Sequence, residues 1–195
     1  MAVSLVASVL YYDFMWAIIA AVGLTALAIP KLAKGEWLTY HRLLVTMSLV
    51  PFSLYLVLFA VNVLADIGVY RYISLMIQPL ASMVCAYMLF ISVSANSDTV
   101  LSKRWLFVFS IAFTCAFAVL YAFFLFFAMK TMGYPLYNFE FEGPGALDNT
   151  DSNRFLMLPI NLAVVLSLFY GLLIDKALKG VDAKDLTRYY GREKE

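Results

Sequence analysis

WLFVFSIAFTCAFAVLYAFFLFFAM, residues 105–129, runs for 25 residues without a charged side chain. A helix needs about 20 predominantly apolar residues to cross the hydrocarbon core of a bilayer, and a helix on the surface of a soluble protein would show a polar face at a period near 3.6. Here Phe107, Phe109, Phe113, Phe117, Phe123, Phe124, Phe126 and Phe127 occupy every face. The stretch therefore reads as a membrane span.

Four more runs of this kind lie between charged clusters: 14–30, 43–65, 70–93 and 155–174. Whether the apolar Met1–Leu10 lengthens the first into a tilted helix stays open at this point. It lacks the basic segment that opens a secretory signal, and with Asp13 and a second apolar run following at once it reads as retained. Composition agrees with spans throughout. Of 195 residues, 64% are hydrophobic and 14% charged, against about 25% charged in a soluble domain, too few to cover a globule of this size. The fold class expected is all-α, a polytopic membrane bundle of about five transmembrane helices in one domain over 1–174, with residues 175–195 as a tail.

The bases set the orientation. Lys31, Lys34, Arg42, Lys103, Arg104, Lys176, Lys179, Lys184, Arg188, Arg192 and Lys194 fall on one side of a five-span path, and only Arg71, Lys130 and Arg154 on the other. The bias of Lys and Arg towards cytoplasmic loops places the amino terminus outside and the tail in the cytoplasm, in the cell membrane or an energy-transducing membrane. The segment 131–154 becomes an acidic external loop, turn-rich around Gly143-Pro144-Gly145. The tail alternates acids and bases, with Leu178, Val181, Leu186, Tyr189 and Tyr190 at roughly helical spacing. It reads as a short amphipathic helix, with Gly180 as a point where it can break, lying on lipid or on a neighbouring subunit.

Between spans, helices associate through small residues spaced four apart. Such stripes are Ala17-Ala21-Thr25, Ser110-Thr114-Ala118-Ala122 and Ala163-Ser167-Gly171. The second span has few small residues and is expected to face lipid or a partner. Polar groups within spans need partners, because no water is at hand. Asp13, Asn62, Gln78 and Asn161 fall towards the external side and form a candidate hydrogen-bonded cluster in the outer leaflet, with carbonyls freed by the nearby Pro79 and Pro159 as acceptors for the amides. Asp66 and Arg71 form a candidate surface ion pair across a short turn.

The chemistry available is narrow. His41 is the only histidine, which excludes bis-histidine haem and multi-histidine metal clusters within this chain. Cys85 and Cys115 lie mid-span, without a CxxC motif, and behave as small apolar residues. No Asp, Glu, Lys, Arg or His falls in the central half of any span, so a charge-driven pump has little to work with. Asp148, Asn149, Asp151 and Asn153 lack the closing Glu of a calcium loop and read as a solvated turn. A net charge of +1 gives no basic field for nucleic acid.

Three function classes follow. The preferred one is a non-catalytic accessory or structural subunit of a multi-subunit integral membrane complex, such as a respiratory or other oxidoreductase assembly. Its partners are other integral membrane subunits and membrane lipid, with no cofactor bound by this chain alone. The alternative is a small transporter or channel for a neutral solute that uses Asn62, Gln78 and Asn161. An enzyme would need Asp13, Asp66, Glu140 or Glu142 as its acid or base near the external surface.

Overall fold

The structure, a computed structural model, describes residues 1–10, 14–34, 38–65, 70–96, 101–132, 149–181 and 186–189, with side chains near several helix ends left aside. Asp13, Asp66, Glu140, Glu142 and most of the external loop lie outside the described residues. Six helices and two short strands follow in the order α1 (Ala2–Leu10), α2 (Phe14–Lys34), β1 (Leu38–Tyr40), α3 (Arg42–Ala65), α4 (Tyr70–Asn96), α5 (Lys103–Met132), α6 (Asn149–Ala177) and β2 (Thr187–Tyr189).

Among the described residues, four helices, α2 to α5, are long and apolar enough to cross a membrane, where five spans were expected. The fifth expected span, 155–174, falls within α6, whose side chains before Asn161 lie outside the described residues. The chain folds up and down. Trp16 of α2 meets Tyr55 of α3, Thr114 of α5 meets Met83 of α4, and Lys103 reaches Leu178 beyond the end of α6. The connections bearing Lys31 and Arg42, Lys103 and Arg104, and Lys176 and Lys179 consequently gather at one end of the bundle.

Helix α4 is the axis. In its window Met76–Ala95, 72% of the residues are buried, against 28 to 39% in the corresponding windows of α2, α3 and α5, and it packs on α2, α3, α5 and α6. The reason lies in its side chains. Ala81, Ser82, Cys85 and Ala86 keep its girth small and let neighbours approach from several sides, and such close approach is what holds helices together where apolar burial gives no preference over lipid.

Two of the three small-residue stripes face inward as their spacing suggests. Ser110, Thr114, Ala118 and Ala122 are buried, as are Ala163, Ser167 and Gly171. Ala17-Ala21-Thr25 does not follow. Ala21 and Thr25 are exposed, and α2 buries Met15, Trp16, Ile19, Ala20 and Ala26 instead. Trp16 decides that rotation, since its indole stacks on Tyr55 at 4.1 Å between ring centroids and meets Phe52 edge-on at 5.9 Å. A large ring with two aromatic partners offers more contact than three small side chains.

Met1–Leu10 does not lengthen α2. A nine-residue helix is about 14 Å long, under half the hydrocarbon thickness. Its first residue, Met1, lies beside Gly23, where an added Cβ would meet the Met1 Sδ at 2.9 Å and the Cys85 Sγ at 2.9 Å. Helix α1 therefore runs back along α2, with Ser4, Ala7 and Ser8 on the inner face and Val3, Val6, Val9 and Leu10 outward.

The tail differs from its helical reading as well. Beyond Ala177 the chain turns through Gly180, at φ +90°, where a side chain would strain the left-handed backbone, and residues 187–189 form β2, antiparallel to β1 with Leu38 opposite Tyr189. Leu178 and Leu186 are nearly fully buried. Their near-helical spacing arises from insertion at two separate points, not from one amphipathic helix.

Candidate functional site

Each proline inside a helix removes the N–H that would reach the carbonyl four residues back. Pro30 of α2 leaves the Ala26 carbonyl without its helical donor, and Pro51 of α3 leaves that of Met47. Both are filled from elsewhere in the bundle. Ser92 of α4 donates its hydroxyl to the Ala26 oxygen at 2.7 Å, Tyr40 of β1 donates to the same oxygen at 2.8 Å, and the two hydroxyls touch each other. Tyr170 of α6 donates to the Met47 oxygen at 2.6 Å. Other hydroxyls bond within their own helices: Ser48 to Val45, Ser110 to Leu106, Thr114 to Ser110 and Ser167 to Val164.

Two donors at one carbonyl make the Ala26 site redundant. Ser92→Ala alone leaves Tyr40 to serve the oxygen, and Tyr40→Phe alone leaves Ser92; each is expected to lower stability by under about 1 kcal/mol. The double variant orphans a buried carbonyl, and about 1–3 kcal/mol is expected to go. Unfolding by graded addition of a denaturing detergent to mild micelles measures the non-additivity. A double loss equal to the sum of the singles would refute the redundancy.

Burial also pushes the Tyr40 phenol up to about 12, against a smaller downward pull from its bond to Ser92. The folded bundle thus favours the neutral phenol. Its contribution is complete below pH 10, the ordinary tyrosine value, and is lost as pH climbs from 10 to 12. Tyr40→Phe is expected to flatten part of that alkaline fall in a stability–pH curve.

The expected amide cluster is placed in part. Gln78 of α4 is buried, Asn161 of α6 is exposed, and of Asn62 and Arg71 the backbone alone, on α3 and α4, is described. Around Gln78, residues Met15, Pro79, Ser82, Thr114, Ala118 and Ala163 line a small, partly open cavity of about 10 Å³. That is room for about one water molecule. The lining brings together an amide and two hydroxyls from α4 and α5, a set that can bind hydrogen-bonding groups but offers no acid, base or nucleophile of ordinary strength.

At the end where the base-rich connections gather, the tail closes over the helices. The His41 amide donates to the Leu186 carbonyl at 2.8 Å, and Lys103 donates its ammonium to the Leu178 carbonyl at 3.0 Å. Tyr40 therefore belongs to two structures at once, the β1–β2 pair and the filled proline gap of α2. These hydroxyl-to-carbonyl links were missed in the sequence, where amides near Pro79 and Pro159 were the expected donors. The usable signal is the proline itself, which names the carbonyl but not the donor. Comparison with protein-family models, with curated proteins and with solved structures finds no match to this chain.

Proposed function

We propose that the chain is a non-catalytic accessory subunit of a multi-subunit integral membrane complex, such as a membrane oxidoreductase, with its amino terminus outside and its tail in the cytoplasm. One observation carries this reading. Inside the bundle, the hydroxyls of Ser92, Tyr40 and Tyr170 serve backbone carbonyls, and the polar cavity has room for about one water. Side chains used in this way hold helices together. Outward, α5 and α6 present Trp105, Phe109, Phe123, Phe127, Phe169 and Leu172, a face suited to lipid and to the apolar flank of a neighbouring subunit.

The test is gentle detergent extraction from the native membrane, separation on a native gel, and mass spectrometry of whatever migrates with the chain. Migration with cofactor-bearing subunits is expected. Migration alone, at the size of a monomer or small homo-oligomer, would refute the accessory role. The convergence of Gln78, Ser82 and Thr114 favours a second reading, passage of a small neutral solute; there Gln78→Leu is expected to abolish uptake into vesicles while leaving assembly intact.

A further inference from the structure

We propose that the cavity beside Pro79 is a specific binding site for one water molecule, held between α4 and α5 midway along the bundle. The site stands independently of the accessory role.

Three polar groups face the space, and their hydrogen-bonding capacities fit a single water. The Ser82 hydroxyl is buried and has no hydrogen-bond partner, although its residue is only 3% exposed. It has a proton to give. Gln78, at 4% exposed, lines the same cavity and brings two N–H donors and a carbonyl acceptor. Thr114 has given its proton to the Ser110 carbonyl at 2.9 Å, so its oxygen is left as an acceptor. A water accepts from Ser82 and from the Gln78 amide and donates to the Thr114 oxygen and the Gln78 carbonyl. Every member then has a partner.

Size and surroundings select water over larger ligands. About 10 Å³ is near the minimum that admits one water, and Met15, Ala118 and Ala163 supply the apolar part of the lining. A dry cavity of this size would be stable if its lining were apolar, but an unpaired hydroxyl in a low-dielectric interior is costly. The bound water adds a polar link between α4 and α5 beside their side-chain contacts, as buried waters commonly do between polar groups.

Radiolytic footprinting in a mild detergent tests the site, because hydroxyl radicals made from a bound water oxidise the side chain next to it. Met15 and Met88 are both buried, at 6% and 2% exposed, but Met15 lines the cavity. Several-fold faster oxidation of Met15 than of Met88 is expected in the unmodified protein, and Gln78→Leu combined with Ser82→Ala is expected to bring the two rates together. Equal rates in the unmodified protein, or a Met15 rate indifferent to the double variant, would overturn the proposal. A density map fine enough to show waters decides it even if the variant fails to fold. A peak within hydrogen-bonding distance of the Ser82 Oγ and the Gln78 amide is the expected result; an empty cavity, with the Ser82 hydroxyl turned onto the Gln78 carbonyl of its own helix, is the contrary one.

Discussion

Trp16→Ala is expected to cost the bundle about 3 kcal/mol or more, the range found when a large aromatic is cut from a packed core. The indole is completely buried, stacked on Tyr55 with the planes 22° apart and set edge-on against Phe52. In lipid the loss does not come from exposing apolar area to water, since the unfolded alternative is also apolar. It comes from dispersion contacts that no neighbour restores and from the cavity that remains. Trp16→Phe, which keeps a ring against Tyr55, is expected to lose much less, and Ile18→Ala, at a position 43% exposed, almost nothing. Unfolding curves in mixed micelles separate the three. Equal losses at Trp16 and Ile18 would show that the aromatic stack does not hold α2 to α3.

Gly171→Leu is the second large effect. A Cβ at Gly171 would stand 2.7 Å from the Met83 Cε and 2.7 Å from the Phe107 Cε2, below any ordinary contact. The methionine end can swing aside; the phenylalanine ring is less free. Alanine already brings that Cβ and is expected to cost stability, and leucine to cost more by forcing α6 away from α4 and α5, with a loss of about 1–3 kcal/mol typical of overpacked cores. Val165→Leu on the outer face of the same helix is the control. Adding Phe107→Ala to Gly171→Leu is expected to recover part of the loss, because the two changes share one space and will not add. A double variant as unstable as the sum of its parts would place the clash elsewhere.

The four long apolar helices were legible in the sequence because apolar length is a local property that can be counted along the chain. The inward faces of α5 and α6 were legible for the same kind of reason, since Ser110 to Ala122 and Ala163 to Gly171 repeat at the helical period. Where choice depended on a distant residue, local reading failed. Ala17-Ala21-Thr25 obeys the same spacing and faces outward, because Tyr55 and Phe52, on another helix, hold Trp16 in place. Pro30 and Pro51 announced open carbonyls, but Tyr40, Ser92 and Tyr170 lie at separations that no spacing rule specifies. Of the expected polar cluster, Gln78 was legible as a buried amide, while its companions Ser82 and Thr114 were hidden among the many hydroxyls that merely bond their own helix. The tail strand was obscured by leucines whose spacing imitates a helix.

The pairing of β2 with β1 also sets an order in time. Tyr189 leaves the ribosome 151 residues after Leu38, its partner. Contacts between residues so far apart in the chain wait on the synthesis of everything between them. Helices α2 to α5 would therefore form while the segment around Tyr40 still lacks its partner strand, with the Ser92 hydroxyl on α4 holding the Ala26 carbonyl during that interval. A chain whose β2 never reached β1 would seat its helices and leave its base open.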